Sequence, residues 1–331
     1  MAVLAVTTRS GAIENEFQGH IAVADADGRL IGWVGNPEAR FYLRSSAKPL
    51  QALSIVASGA YQAWRVSPKE LAVCCASHSG SFEHQDAVLS LLAKAGLDEE
   101  HLRCGTHWPG DAAAGQRLSE AHTDPSPVHN NCSGKHAGML VTAKHLGASL
   151  EDYLDPDHPV QQAILGNLSH LCGLSLGEIR IGVDGCGAPV HNLPLRAMAT
   201  AFARVASQRA VPAGLQEAAL TVRRAAAAHP HMLAHRGHFN SELIAAFAGD
   251  CLAKAGAEAL FCAGFADSGL GLAVKIGDGS FRAMPPIMMR ALRQMGLPSG
   301  PLRALAAFER LPVHNCRDEA VGWVEATGFG L

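Results

Sequence analysis

The stretch Arg44-Ser45-Ser46-Ala47-Lys48-Pro49-Leu50 opens the reading of this chain. Ser45 stands three residues before Lys48, and residues three apart on a helical turn share a face. A neutral lysine amine on that face can take the proton of a serine hydroxyl, which is otherwise a weak nucleophile at neutral pH. Neutrality requires burial or a neighbouring cation. Arg44 is a candidate for that cation, or a fork for a substrate carboxylate. The surrounding residues predict a helix from about Ala47 to Ser58. Ser46 can cap it, and Pro49 falls in the first turn, where its missing N–H costs nothing. Leu50, Leu53 and Val56 form one apolar face, and Gly59 is a stop. The plain alternative is a capped helix start with a surface lysine. A serine followed three residues later by lysine arises by chance roughly once in every two chains of this composition, so the motif needs partners.

Three further stretches supply them: Cys75-Ala76-Ser77-His78-Ser79-Gly80, Asn131-Cys132-Ser133-Gly134-Lys135-His136 and Asp184-Gly185-Cys186-Gly187. Leu71–Ala76 is a short apolar run, read as a buried strand that delivers Ser77 to a loop. Gly80 there permits close backbone approach. Cys132, Lys135 and Cys186 suggest a metal, since loop thiolates beside glycines bind zinc. A lysine ligand would have to lose its proton to the metal. No paired Cys-x-x-Cys element is present, and two buried thiols are the plain alternative. Asp184, at the end of a predicted strand Ile179–Val183, can bind an α-amino group, and His136 can orient substrate or metal. Lys254, before Gly256, either faces a pocket or ends a helix on the surface.

Composition narrows the classes. The chain has 331 residues, 48% hydrophobic and 17% charged, with a net charge of −3. That excludes a disordered chain and a basic nucleic-acid surface. No stretch reaches the length of a membrane span, and Met1–Val6 lacks the basic flank of a leader and reads as a strand. The nine scattered cysteines are expected to be reduced thiols, which points to the cytoplasm. No composition shift marks a linker, so 1–331 reads as one unit. Strands and helices interleave, as in α/β or α+β enzymes. A hairpin is predicted at His20–Asp25 and Arg29–Val34 around Asp25-Ala26-Asp27-Gly28. Helices are predicted at His84–Lys94, Ala137–Leu146, Leu195–Ser207, Gly214–Ala228, Glu242–Ala255 and Pro285–Met295. Strands are predicted at Ala259–Phe265 and Leu270–Ile276.

Together the four motifs resemble the Rhizobium etli-type (class 3) L-asparaginases, the asparaginase II family. The resemblance starts at Arg9-Ser10-Gly11 and Glu14 and runs through Arg44–Leu50, Cys75–Gly80, Cys104-Gly105, His129–Gly138 and Gly182–Pro189 to Lys254–Glu258 and the Gly269–Gly279 hairpin. The chain departs from it at Asn15, Glu16 and Phe17, at Ala259 and over His235–Ser241.

The resemblance implies a serine β-lactamase- and glutaminase-like fold, with a mainly antiparallel central sheet flanked by helices. It implies hydrolysis of L-asparagine to L-aspartate and ammonia by two serine–lysine tandems, Ser45 with Lys48 and Ser77 with Lys254, with Ser45 favoured as the acylated residue. It implies zinc on Cys132, Lys135 and Cys186 near the site but not supplying the nucleophile. Arg44, Asp184 and His136 would hold the substrate, and a homodimer is expected. The rivals are a glutaminase of the same fold, one methylene away in substrate, and a non-catalytic amino-acid- or zinc-binding protein.

Overall fold

A computed structural model describes residues 1–331 and shows a mixed α/β molecule built on an antiparallel sheet. The strands are Ala2–Arg9 (β1), Ala12–Asp25 (β2), Leu30–Val34 (β3), Arg40–Tyr42 (β4), Arg180–Val183 (β5), Pro189–Pro194 (β6), Cys251–Gly256 (β7), Leu260–Phe265 (β8), Leu270–Ile276 (β9), Arg310–His314 (β10) and Ala320–Ala326 (β11). The main sheet runs β10-β11-β1-β2-β9-β8-β7, with β3 also paired to β2, and β4-β6-β5 form a second, three-stranded sheet. The predicted β2–β3 hairpin is present, with Ile21 opposite Val34 and Ala22 opposite Trp33.

The helix Leu195–Ser207 packs across β2, β8 and β9. Glycines let it approach. A Cβ on Gly264 would lie 2.0 Å from the Phe202 carbonyl oxygen, and one on Gly271 would lie 1.9 Å from that of Ala199. These contacts exclude any side chain. Beyond that helix, Lys48–Ala57, Pro68–Cys74 and Ser133–His145 pack on one another. Sheet and helices share one core, from Leu4 and Val274 to Leu140 and Leu168.

Four local predictions are corrected. Leu71–Ala76 is not a strand: residues Pro68–Cys74 are helical. Ser67 and Glu70 form a reciprocal capping box, with Pro68 at the first position, and Ser-Pro-Lys-Glu is a helix-start signature. A short apolar run alone does not separate a buried strand from a buried helix. The predicted helix Glu242–Ala255 ends at Ala246, and Ala248 and Gly249, both at positive φ, turn the chain into β7. Lys254 therefore sits on a strand. The helix expected from Ala137 starts at Ser133, so Lys135 and His136 are helical. Finally, Ser46 caps nothing. Arg44–Ala47 form a 3-10 turn ahead of the helix Lys48–Ala57, and the Ser46 hydroxyl donates to the Lys254 carbonyl at 2.9 Å. That bond ties the turn to β7.

Candidate active site

The turn Arg44–Ala47 lies against β7 because Gly256 leaves room for it. A Cβ there would meet Ser46 Oγ at 2.7 Å and the Leu43 carbonyl oxygen at 3.0 Å. The contact brings Lys48, at the start of its helix, and Lys254, on β7, into one buried volume, each 1% exposed. Both amines point at Ser77, which leaves the helix Pro68–Cys74 through Cys75 and Ala76. Lys48 Nζ lies 3.1 Å and Lys254 Nζ 3.0 Å from Ser77 Oγ.

The remaining bonds distinguish the two lysines. Lys48 Nζ also donates to the carbonyls of Ala76 at 2.6 Å and Asn131 at 3.2 Å. With Ser77 Oγ these acceptors match the three protons of an ammonium group. Lys254 Nζ donates to the Ala255 carbonyl at 2.7 Å. Burial, reinforced by the charge of Lys48, holds its amine well below the ordinary lysine range. A neutral Lys254 has a lone pair for the Ser77 hydroxyl proton, while Lys48 donates to the same oxygen. The hydroxyl is thus set between a base and a cation.

The predicted tandems are only partly realised. Ser77 meets Lys254 as expected. Lys48 Nζ hydrogen-bonds Ser77 and makes no hydrogen bond to the Ser45 hydroxyl. The turn at Ser45 is 3-10 and stacks residues three apart, but the Lys48 amine is drawn away by the Ala76 and Asn131 carbonyls and by Ser77. Ser45 and Ser77 nevertheless face one pocket of about 220 Å³, with Asn131, His238, Gly256 and Phe281. The Ser77 N–H donates to the Leu233 carbonyl at 3.0 Å, so that amide is not free to stabilise an oxyanion.

Arg44, at φ +47, is held in the left-handed region, where a side chain is strained. Its Nε donates to Asp184 Oδ1 at 2.7 Å, and Lys135 Nζ lies 3.9 Å from Oδ2. Burial opposes the Asp184 charge, but Lys135, the Gly185 N–H and Arg44 outweigh it and hold the carboxyl below its usual range. The pair offers a guanidinium and a carboxylate, complementary to the two α-substituents of an amino acid. His136 is placed differently. It is fully buried, bonds Tyr153 Oη at 2.7 Å through Nδ1, and does not line the pocket. Burial, with Lys135 and Lys48 nearby, lowers its pKa well below the usual histidine value.

Cys132, Lys135 and Cys186 converge from the helix start and the β5–β6 connection. Lys135 Nζ donates to Cys186 Sγ at 2.9 Å. Cys132 and Cys186 act on each other: the neighbouring Cys186 thiol holds the Cys132 pKa well below the ordinary thiol range, and Cys132, with burial, raises that of Cys186. Burial opposes the Lys135 charge, but the Cys132 and Cys186 sulfurs more than restore it. No group of three His, Cys, Asp or Glu side chains is close enough to hold a metal. Two sulfurs and an amine remain, a three-donor set in which the two thiolates suit zinc and the lysine is an unusual ligand.

Asn131 and His238 carry no role in the sequence reading. Asn131 stands inside a quoted motif, but its carbonyl rather than its side chain receives Lys48. His238 has no local signal, since only the fold carries it to the pocket.

A buried neutral amine beside a hydroxyl, open to a pocket of small-molecule size, is the equipment of a hydrolase working by acyl transfer. The chain belongs to the L-asparaginase II family, whose sequence model matches residues 5–326. Among solved structures it is similar to a β-lactamase from Mycobacterium bovis, with 14% identity and a TM-score of 0.43 over 84% of this chain and 95% of that one. It is also similar to Mglu in its native form, with 16% identity and a TM-score of 0.39 over 85% of this chain and 61% of that one. No curated protein sequence matches it.

Proposed function

We propose that the protein is an L-asparagine amidohydrolase (EC 3.5.1.1) that forms L-aspartate and ammonia through an acyl-enzyme. The observation that carries this reading is the Ser77 hydroxyl held between Lys48 and Lys254 at the pocket floor, in a chain of the L-asparaginase II family. The hydroxyl proton passes to Lys254 as Ser77 Oγ bonds to the side-chain amide carbon. The fixed charge of Lys48 stabilises the developing alkoxide. When the C–N bond breaks, Lys254 returns the proton to the leaving nitrogen, which departs as ammonia. Water then enters and bonds to the acyl carbon as Lys254 takes its proton, and Lys254 returns that proton to Ser77 Oγ as the ester C–O bond breaks and aspartate is released. Arg44 and Asp184 hold the α-carboxylate and α-amino group. Ser45, facing the same pocket, is the second hydroxyl.

Cys132, Cys186 and Lys135 would hold a zinc ion, the Cys186 thiol and the Lys135 ammonium each giving up a proton to ligate it, and the ion would supply positive charge beside Asp184. The chain's own residues carry the proton transfers. All nine cysteines are free and eight are buried, in keeping with a reducing, cytoplasmic setting. A homodimer is the assembly that the resemblance implies.

The test is ammonia release from L-asparagine, with L-glutamine alongside, by protein of known metal content. One methylene separates these substrates, about 1–3 kcal/mol of discrimination. Release from asparagine supports the reading, and release from neither, with the fold intact, overturns it. Peptide mass analysis of acid-quenched enzyme then locates the ester. Ser77 is expected; an ester on Ser45 would transfer the nucleophile's role to that residue, and one on neither would rule out the covalent route.

A further inference from the structure

Behind Ser77 lies a second and larger pocket, about 520 Å³, that the hydrolytic chemistry does not use. Its walls are the two segments that hold Ser77 in place. One is Ser79–His84, directly downstream. The other is His231–Arg236, beside Leu233, whose carbonyl holds the Ser77 N–H.

One end of this pocket is built for an anion. The helix Phe82–Lys94 begins there without a side-chain cap, because Ser81 turns its hydroxyl to His84 Nδ1 at 2.7 Å. The amides of Phe82 and Glu83 are left without acceptors at the positive end of the helix. His84 is 3% exposed, and its Nε2 has no partner of hydrogen-bond geometry, although the His231 backbone lies near the ring. With Ser81 donating to Nδ1, Nε2 carries a proton and is a buried donor lacking an acceptor. Ser79 Oγ is also buried and unpartnered, and Arg236 lines the rim.

A carboxylate stands beside these donors. Asp111 caps the helix Ala112–Ala121 by accepting the Ala114 N–H at 3.0 Å, and its N–H is anchored on the Ser79 carbonyl at 2.9 Å. One carboxylate oxygen remains for a ligand. Glu83, the other acid present, is engaged by Lys69 at 2.9 Å and His231 at 3.2 Å.

We propose that this pocket is a second binding site for a small α-amino acid. The carboxylate would sit on the free amides of Phe82 and Glu83 and on His84 Nε2, and the ammonium on Asp111. An occupant would press on both segments that position Ser77, so binding would be felt at the hydrolytic site.

The test is equilibrium dialysis of radiolabelled L-aspartate against the full chain and its Asp111→Asn and Arg236→Gln variants. Asparagine caps a helix as well as aspartate does, so Asp111→Asn removes the charge and keeps the cap. An equivalent of L-aspartate whose affinity falls at least tenfold in Asp111→Asn, and that succinate displaces at least tenfold less well, supports the proposal. Arg236→Gln is expected to weaken the same equivalent. No equivalent sensitive to Asp111→Asn, or displacement by inorganic phosphate as effective as by aspartate, overturns it. An equivalent insensitive to both changes reports on the Ser77 pocket, so the two sites succeed or fail separately.

Discussion

Replacing Lys48 with Met removes a buried positive charge close to the Lys254 amine. Both nitrogens hydrogen-bond Ser77 Oγ, at 3.1 and 3.0 Å. With a near-tetrahedral angle at the oxygen they stand about 5 Å apart. Two unit charges at that separation repel by about 3 kcal/mol at an effective dielectric of about 20, and about 1.4 kcal/mol corresponds to one pH unit. Burial and Lys48 both favour the neutral form of Lys254, so losing Lys48 makes Lys254 more basic. Lys254 must be neutral to accept the Ser77 proton. The limb of kcat/KM that falls as pH drops through the Lys254 titration should therefore move to higher pH, by about two units. Ammonia release against pH, at fixed metal content, reads the shift. Lysine side-chain nitrogen labelling reads it directly by NMR even in a slow variant, since the chain has only seven lysines. Met also strands the Ala76 and Asn131 carbonyls, at about 1–3 kcal/mol each, so the variant's Tm is measured first. A limb that stays in place or moves to lower pH would falsify the base-and-cation assignment.

Ser77→Ala should lower kcat by about 10³-fold or more with little change in KM, the scale of losing an activated nucleophile; steady-state kinetics beside Ser45→Ala decide which hydroxyl matters more. Gly256→Ala drives a methyl against Ser46 Oγ and the Leu43 carbonyl, and is expected to cost about 1–3 kcal/mol, seen in the denaturant midpoint, and to lower activity by parting β7 from the Arg44 turn. Arg44→Lys keeps the charge but loses the fork toward Asp184, so KM for asparagine should rise more than kcat falls. If Cys132, Lys135 and Cys186 hold zinc, a chelator should lower thermal stability and weaken substrate binding while Ser77 still acylates; protein whose metal content and Tm a chelator leaves unchanged would show that these residues hold no metal.

Much of this protein is legible in the linear order of residues because the cues are local. The β2–β3 hairpin follows from Asp-Ala-Asp-Gly between two alternating runs, and Leu195–Ser207 follows from an alanine-rich run entered behind Pro194. Cys132, Lys135 and Cys186 are marked as a group by type, and the structure brings them together. Where local cues conflicted the reading failed. Leu71–Ala76 is apolar enough for a strand, yet the Ser67–Glu70 capping box makes it a helix. Glu242–Ala255 has the composition of a helix, yet Ala248 and Gly249 break it and leave Lys254 on β7.

The pairing of the catalytic groups shows the same division. A spacing of three assigns Lys48 to Ser45 when a helix continues through both. Here a 3-10 turn pinned to β7 by Ser46 and Gly256 leads into the helix, and the Lys48 amine is drawn to Ala76, Ser77 and Asn131 instead. Sequence alone singled out Ser45, Lys48, Ser77 and Lys254 as candidates, because residue types and family motifs are written in it. Only the folded chain decided that both amines meet on Ser77, because that depends on how closely a strand and a turn more than two hundred residues apart can approach.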